Sequence, residues 1–342
     1  MAGRLCYVLS RYVTSEKNTM YEAYWKLREK PFENTPDPRF IYYSRKHEEA
    51  LSRILYAIRE GKSAAMLTGE CGSGKTLLSR ILLQELSSAQ YQSVLIFNPR
   101  LPTLEFIKEI ASQLNGDTAS LLSMTDVFHY FNEILRRNEN DNKKTVIIID
   151  EAQALLEDSF EELRLLLNFQ LNDKFLLTII LLGQLELRRK IDNLPQFKER
   201  IAVRYNLTAL SQEDTKEYIQ HRLEVAGSEE IFQGDAFSEI HRFSGGIPGR
   251  INNICDMALL VGYGEGADRI DKETIEEVAR DLEGIHSEGD EKAESVRYHQ
   301  ALENVSFDNE HSKRKIELKE EISPKARAIP KQRRHTGIRY FD

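Results

Sequence analysis

Five short apolar runs alternate with helical patterns between residues 44 and 210. The runs lack strict alternation with polar residues, which is typical of parallel strands buried on both faces. They are SAAML (63–67), SVLIF (93–97), TVIII (145–149), FLLTIILL (175–182) and IAVRYNL (201–207). Apolar residues recur at helical spacing in RKHEEALSRILYAIRE, which follows Ser44, and near 75–88, 102–115, 125–138 and 156–170. The alternation predicts an α/β domain over 44–210, in which helices cover a parallel sheet.

The strand patterns stop after Leu210, but helical patterns continue. Ser211 and Asp214 have the spacing of a capping box, which predicts the start of a helix. Further helices are predicted at 235–243, 248–262 and 271–282. A small helical domain over residues 211–283 is therefore expected to follow the sheet.

The segment before the α/β domain, residues 20–43, is rich in aromatic residues and proline. Pro31, Pro36 and Pro38 exclude a regular helix or a central strand there. We expect an extended strap whose aromatic side chains dock on a neighbouring domain. Residues 1–19 differ in character, so we expect a non-native or flexible extension and treat Met20 as an alternative start.

The C-terminal segment, residues 284–342, has low apolar density and blocks of charge, which predicts a disordered tail. Residues 325–339 contain six basic residues and no acidic ones. This stretch is either a solvated tail or a site for an anionic partner, such as nucleic acid, an acidic protein or a lipid surface.

Composition limits the classes of protein to consider. The 342 residues include 47 basic and 55 acidic side chains, which gives a net charge of -8. The chain as a whole is therefore not a basic protein that binds nucleic acid through its overall charge. No apolar run approaches the ~20 residues of a membrane span. Three widely spaced cysteines argue against a disulfide framework or a zinc cluster, and the expected compartment is the cytoplasm.

The strongest chemical signal is the octet GECGSGKT at 69–76, which matches G-x-x-x-x-G-K-[ST] between a predicted strand and a predicted helix. In such a loop, backbone N–H groups and the helix N-terminus face phosphates. Lys75 is expected to reach the β and γ oxygens, and Thr76 to offer a hydroxyl to Mg²⁺. The other expected nucleotide-binding positions are Gly69, Glu70, Cys71, Gly72, Ser73, Gly74 and Leu77.

Polar residues also follow two later strands, at the edge where α/β folds hold ligands. Asp150 is predicted to hold Mg²⁺ through its water shell, and Glu151 to polarise the attacking water. Gln184 follows the fourth apolar run, where its amide is expected to orient that water. Ordinary turn chemistry is the alternative for Gln184.

Hydrolysis of a triphosphate also favours an arginine, because a guanidinium neutralises charge on the transferring phosphoryl group. Arg250 opens a helix after the turn GGIPG (245–249) and is predicted to reach the nucleotide. Arg200 and Arg204, at the strand 201–207, are the other candidates. For each arginine, a surface ion pair is the alternative.

The motifs together resemble the AAA+ ATPases. More narrowly, GECGSGKT, IIIDEAQ, LLGQLEL, FKERIAVRYNL, GGIPGRINNICD and the strap resemble the ExeA/GspA group of secretion-associated ATPases and its TniB and TnsC transposition relatives, over about residues 20–283. The resemblance implies a P-loop NTPase of the additional-strand class, a three-layer parallel sheet followed by a helical lid. It further implies ATP and Mg²⁺ as cofactors and a homo-oligomer.

The resemblance also implies roles for single residues. Gln184 corresponds to the sensor 1 residue, Arg250 to sensor 2, and Arg200 to a finger that acts on a neighbouring subunit. The group's usual GQPEL reads GQLEL here, at residues 183–187. Secretion members of the group continue into a membrane span and a peptidoglycan-binding domain. The resemblance covers only about residues 20–283 and none of those further parts, so a cell-wall role is not carried over to this chain.

Three functions follow as hypotheses. The first is an oligomerising ATPase switch that assembles or remodels a partner complex in secretion or export. The second is an ATP-dependent adaptor that binds DNA and recruits a recombinase for transposition. The third is a nucleotide-gated scaffold with little hydrolysis. A GTPase is disfavoured because the chain lacks the guanine-reading sequence Asn-Lys-x-Asp.

Overall fold

Five parallel strands form the centre of the structure. The computed structural model describes residues 21–114, 122–171, 174–228 and 230–283. The strands are Ala64–Gly69 (β1), Tyr91–Ile96 (β2), Lys144–Ile149 (β3), Leu177–Gly183 (β4) and Ile201–Leu207 (β5). The helices among and before them are Arg45–Arg59 (α1), Lys75–Glu85 (α2), Thr103–Gln113 (α3), Met124–Asn140 (α4), Glu157–Leu166 (α5), Leu185–Asp192 (α6) and Pro195–Lys198 (α7).

The strand order across the sheet is β2-β3-β4-β1-β5, and every neighbouring pair is parallel. β4 therefore lies between β1, which precedes the GECGSGKT loop, and β3, which precedes Asp150. Because all strands run the same way, the loops that follow β1, β3 and β4 meet at one edge of the sheet. The predicted parallel sheet with an inserted strand is confirmed.

Both faces of the sheet are buried under helices. Ile147 and Ile149 of β3 belong to the core under α3, α4 and α5. Val146 and Ile148 belong to the opposite core, under α1 and α2. All seven residues of β4 are buried. This double burial explains why the strands read as continuous apolar runs.

One predicted strand begins later than expected. The run 175–182 was expected to be strand throughout, but β4 starts at Leu177 and extends to Gly183. The amide of Leu176 donates instead to the carbonyl of Phe169, at 3.1 Å, so Leu176 pairs with the segment that follows α5 rather than with the sheet. For the same reason α5 ends at Leu166 rather than near residue 170.

After the sheet, the helices are Gln212–Ala226 (α8), Ala236–Ser244 (α9), Pro248–Glu265 (α10) and Lys272–Glu283 (α11). Both hydrogen bonds of the predicted capping box are present at the start of α8: the Ser211 side chain accepts from the amide of Asp214, whose side chain accepts from the amide of Ser211. We call residues 211–283 the lid. No helix in the described parts of the chain is long and apolar enough to cross a membrane.

The strap, residues 21–43 of the structure, packs on the lid. Its buried aromatic and aliphatic side chains share one core with α8, α9, α10 and α11; they are Tyr21, Trp25, Leu27, Phe32 and Phe40. The strap is not extended throughout, since the amide of Trp25 donates to the carbonyl of Tyr21 and the first seven residues form turns before the prolines begin.

Four predictions fall outside the described residues. They concern the N-terminal extension 1–19, the start at Met20, the tail 284–342 and the basic stretch 325–339.

Candidate active site

The GECGSGKT loop joins β1 to α2 at the carboxyl edge of the sheet. Gly72 and Gly74 have φ angles of +79° and +97°, a region that side chains with a Cβ avoid. Gly69 has no room for a Cβ, which would lie 2.8 Å from Ser73 Oγ and 2.9 Å from the carbonyl of Leu207. The glycines therefore allow this loop to turn tightly into the helix.

Lys75 is buried, and its Nζ donates to the carbonyls of Gly69 at 3.0 Å and Glu70 at 2.7 Å. Burial lowers the pKa of Lys75, while the negative charges of Glu151 and Asp150 oppose that shift. Among the described residues, the ammonium group thus bonds only to neutral carbonyls of its own loop. Such an arrangement leaves a buried cation ready to exchange these partners for an anion.

The loop fits a phosphate group. Ser73 Oγ is buried and has no hydrogen-bond partner among the described residues. The loop leads into α2 through Gly74, an N-cap without a capping side chain. A helix N-terminus with free N–H groups and a buried ammonium beside it is the donor set of a phosphate site. Cys71, exposed, lines the adjoining pocket with Leu77, while Glu70 is exposed at the loop's start.

Thr76 and Asp150 meet across the site. Asp150 follows β3 and is buried, and its side chain accepts a hydrogen bond from Thr76. Burial raises the pKa of Asp150, and the hydrogen bond from Thr76 partly opposes the shift. One hydroxyl and one carboxylate at this spacing fit Mg²⁺, which takes few protein ligands beside waters and phosphates.

Glu151 is half-buried and has a φ of +52°, so its backbone is in the left-handed region without being glycine. Its carboxylate accepts hydrogen bonds from the amides of Gln153 and, at 3.5 Å, Gln184. The amide oxygen of Gln153 in turn accepts from the backbone N–H of Gln184, at 3.0 Å. Gln153 therefore ties the end of β3 to the end of β4.

The lid touches the loop directly. The amide of Gly249 donates to the carbonyl of Gly72 at 3.0 Å, and a Cβ on Gly249 would lie only 3.1 Å from the Gly72 Cα. The next residue, Arg250, is exposed in the first turn of α10 and lines the same pocket as Lys75 and Glu151.

The pocket has a volume of about 550 Å³, within the range of small-molecule sites. The GECGSGKT loop, Glu151 and Arg250 form one part of its wall. The strap, α8 and the start of α10 form most of the rest, including Pro36, Tyr218 and Asn252, and His47 of α1 also lines the pocket. A ligand in this pocket would therefore contact the sheet region, the strap and the lid together.

Sequence reasoning missed His47, in the first turn of α1. Its ring is buried, with Nδ1 2.7 Å from Ser44 Oγ and Nε2 3.1 Å from the carbonyl of Ser73. A carbonyl only accepts, so Nε2 carries the proton and donates. Burial lowers the pKa of His47, which favours this neutral form. The one available signal was a histidine on the apolar face of a predicted helix.

Sequence reasoning also left Gln153 without a role, although it lies in the motif IIIDEAQ. The structure brings together Lys75, Thr76, Asp150, Glu151, Gln184 and Arg250.

Arg200 and Arg204 lie elsewhere. Arg200 precedes β5, whose first residue pairs with Ala64 at the start of β1, so it is at the opposite edge of the sheet from the loop. Its Nη2 donates to Asn168 Oδ1 at 2.9 Å. Arg204 lies inside β5 and donates to the carbonyl of Lys198. Neither arginine reaches the pocket of its own chain, and an action on another subunit stays a prediction.

Comparison with known proteins gives consistent likenesses. A family model described as an AAA domain matches residues 58–191. The chain is 37% identical over 273 residues to General secretion pathway protein A of Aeromonas hydrophila, an alignment that covers 79% of this chain and 50% of that protein. This chain thus spans about half the length of that curated relative.

Among solved structures, the Aeropyrum pernix ORC2 protein is similar with a TM-score of 0.58 at 17% identity, covering 77% of this chain and 74% of that one. The Aeropyrum pernix ORC1 protein in complex with DNA gives a TM-score of 0.56 at 17% identity, covering 75% and 70%. At this identity the likeness concerns the fold alone, and it confirms the predicted fold class.

Proposed function

Because this chain belongs to the AAA+ ATPases of the GspA group, we propose that it binds ATP with Mg²⁺ in the pocket described above and hydrolyses it to ADP and phosphate. The observation that carries the proposal is that Lys75 and Glu151 line one pocket and that the charges of Glu151 and Asp150 both act on Lys75. A phosphate loop alone would suit any phosphate ligand. A carboxylate at the pocket wall is what attack by water requires in addition.

Each residue of the proposed site has its own chemical role. Lys75 exchanges the carbonyls of Gly69 and Glu70 for phosphate oxygens. Thr76 and Asp150 would hold Mg²⁺, which would neutralise phosphate charge when bound. Glu151 accepts a hydrogen bond from the attacking water and polarises it.

Two further side chains complete the proposed site. Gln184 holds the carboxylate of Glu151 toward the water, as expected for a sensor 1 residue. Arg250 offers a guanidinium from the lid, so that its position depends on the contact between Gly249 and Gly72.

We also propose that hydrolysis moves the lid relative to the sheet in a homo-oligomer, and that this motion assembles or remodels a protein complex in secretion or export. The pocket lies between sheet region and lid, so loss of the γ-phosphate removes contacts from one side of that boundary. The name of the Aeromonas hydrophila relative supports the secretion context. A cytoplasmic location stays a prediction.

The DNA-binding alternative depends on residues 325–339, which lie outside the described chain, and stays a prediction. ATP-dependent retention of DNA that falls steeply with salt would support it, because neutralising phosphates releases counterions.

The decisive experiment compares the full chain with Glu151→Gln and Lys75→Ala. We expect Glu151→Gln to lower hydrolysis on the order of 100-fold or more, the usual share of a general base, while ATP binding persists. Lys75→Ala should lose binding as well. Glu157→Gln, at the start of α5, is the matched control and should behave as wild type. Unchanged hydrolysis in Glu151→Gln, or absence of nucleotide binding by wild type, would overturn the proposal.

A further inference from the structure

The strap and the lid form one packed body. The indole N–H of Trp25 donates to the carbonyl of Leu259 in α10, at 2.9 Å. Gly262 gives the Trp25 ring its space, because a Cβ there would lie 2.9 Å from the indole. The amide of Arg28 donates to the carbonyl of Ala226, at the end of α8. Residues that precede the sheet in the chain therefore belong to the core that follows it.

Arg222 of α8 holds the next part of the strap. Its side chain is buried, with a residue exposure of 6%. Its Nε donates to the carbonyl of Pro31 and its Nη2 to the carbonyl of Glu33, at 3.0 Å. The guanidinium also lies 5.0 Å from the centre of the Phe40 ring. A single side chain of the lid thus fixes three positions of the strap.

The burial of Arg222 costs free energy because its guanidinium is charged. No carboxylate of the described chain pairs with Arg222, whose acceptors are the two strap carbonyls and the hydroxyl of Tyr218. A buried ion loses several kcal/mol of hydration, which neutral acceptors only partly replace. A buried methionine would fill similar space without that cost, so core packing alone does not account for an arginine here.

A chain of hydrogen-bonded polar side chains connects Arg222 to α10 and the strap along the pocket wall. Its Nη1 donates to Tyr218 at 2.8 Å, and the Tyr218 hydroxyl donates to Asn252 Oδ1 at 2.8 Å. Asn252 Nδ2 donates to Asn34 Oδ1 at 3.0 Å, and Asn34 donates to Asn253. All five residues line the pocket. The chain joins α8, α10 and the strap at that wall.

The ligand's two halves therefore meet different parts of the protein. Phosphates fit the GECGSGKT loop, which is made by the sheet region. The remaining wall comes from strap residues 33–36 and 40–42, from the lid and from His47 of α1. The nucleoside half has only this wall left to contact, so its affinity depends on where the strap is held.

We propose that Arg222 is a positioning residue for the nucleoside half of the ligand: by clamping the carbonyls of Pro31 and Glu33, it sets the strap at the base end of the pocket. This inference rests on the proposed function, because it takes a nucleoside triphosphate as the ligand. It assigns no contact between Arg222 and the phosphates, which distinguishes it from Lys75 and Arg250.

The test compares two ligands that share phosphates but differ in the nucleoside. Binding of MgATP and of magnesium tripolyphosphate is measured by calorimetry on the full chain. We expect wild type to bind MgATP more tightly. Arg222→Gln should raise the Kd of MgATP about tenfold, the effect of losing one or two charge-assisted hydrogen bonds, and leave the Kd of tripolyphosphate within about twofold. Arg39→Gln, an exposed strap arginine paired with Asp37 and Glu29, should change neither Kd.

Retained tripolyphosphate binding also shows that the variant is folded. If Arg222→Gln does not fold, Asn34→Ala gives the second test, since Asn34 is exposed and belongs to the same polar chain. It too should weaken MgATP binding selectively. The inference is overturned if every variant that folds leaves the Kd of MgATP unchanged, or raises the Kd of MgATP and of tripolyphosphate by the same factor. It is also overturned if wild type binds the two ligands with equal affinity. Failure of wild type to bind either ligand overturns the proposed function itself.

Discussion

Glu151 carries backbone strain at the point where chemistry is proposed. Lys26, Asn142 and Glu151 are the non-glycine residues with positive φ in the described chain, and Glu151 alone of these lies at the pocket. Such a conformation costs about 1 to 3 kcal/mol and persists only where neighbours enforce it. Gln153 is the enforcing neighbour, since it holds the Glu151 carboxylate and the amide of Gln184 at once.

Gln153→Ala should therefore impair hydrolysis without impairing binding. Loss of both hydrogen bonds frees the carboxylate to rotate away from the water, and we expect kcat to fall roughly 10- to 100-fold, the scale of misplacing a catalytic group. Because Gln153 has no hydrogen bond to the GECGSGKT loop, the Kd of ATP should stay within about twofold. Steady-state kinetics and calorimetry check this, with exposed Gln196→Ala as control. Equal loss of binding and turnover would contradict the role.

His47 donates a hydrogen bond to the carbonyl of Ser73 in the GECGSGKT loop. His47→Ala should therefore lower both the stability of the protein and its affinity for nucleotide. Removing the ring leaves the carbonyl of Ser73 without its donor and opens a cavity, for a loss of about 2 to 3 kcal/mol in the free energy of unfolding. His47→Gln, which retains a donor, should recover part of it. Urea unfolding measures the effect, and His129→Ala, on the exposed side of α4, should stay near wild type.

The lowered pKa of His47 gives this prediction a pH dependence. The unfolded chain binds a proton there near the ordinary value of 6.5, while the folded chain does not until a lower pH. The contribution of neutral His47 to the free energy of unfolding is thus fully present above about pH 6.5, and it declines as the pH falls toward the pKa of the folded state. His47→Gln should lose less stability than wild type between pH 7 and 5.5. An identical decline in both would contradict this account.

At the residue level, the sequence was readable where partners are close along the chain. Lys75 and Thr76 were identifiable because their loop is a contiguous octet. His47 bonds a residue 26 positions away, and Arg222 one 191 positions away, so no local spacing marks either of them. Gln153 was visible in its motif, but its role depends on β4 lying beside β3.

The contact between the start of α10 and the GECGSGKT loop makes Gly249 a sensitive position. A methyl group there would lie 3.1 Å from the Gly72 Cα, so the lid must shift by a few tenths of an ångström. Alanine also favours a helix over glycine by about 1 kcal/mol. Gly249→Ala should therefore keep or raise the melting temperature and yet weaken ATP binding several-fold. Gly234→Ala, where a Cβ has open space, is the control. Unchanged ATP affinity would show that the contact tolerates the shift.

Trp25 should matter to stability as a core residue does, although it lies in a segment without regular helix. Trp25→Ala removes a buried indole and its hydrogen bond to Leu259, and we expect a loss of about 3 to 5 kcal/mol in the free energy of unfolding. Tyr56→Ala, an exposed aromatic on α1, should cost about 0.5 kcal/mol or less. Denaturant unfolding followed by circular dichroism measures both. A loss below 1 kcal/mol for Trp25→Ala would mean that the strap is not part of the lid core.

Elements with a strong local pattern were predicted closely, and the rest depended on distant partners. The capping box at Ser211 and the buried runs of β1 and β3 are decided by nearby residues. The late start of β4 is decided by a backbone bond between Leu176 and Phe169. The strap's turns at 21–27 are stabilised by the lid core, whose residues lie some two hundred positions later. No periodicity in the strap itself could reveal that surface.

On the scale of the whole molecule, the sheet separates Glu151 from Arg200. Glu151 follows the carboxyl end of β3, whereas Arg200 precedes the amino end of β5. Strands of six or seven residues span about 20 Å, so Arg200 of the same chain is too far from the pocket to neutralise a phosphate there. If Arg200 takes part in hydrolysis, a second copy must present its amino-end edge to the pocket of the first.

Mixing two inactive variants tests this arrangement. Arg200→Ala and Glu151→Gln should each lose most of their hydrolysis alone. In a mixed oligomer, an Arg200→Ala subunit retains Glu151 and receives Arg200 from a Glu151→Gln neighbour, so some sites are complete again. We expect turnover in the mixture to exceed the sum of the separate variants and to rise more than linearly with protein concentration. Arg204→Ala in place of Arg200→Ala is the control and should retain activity unmixed. An additive mixture would mean that Arg200 serves its own chain or none.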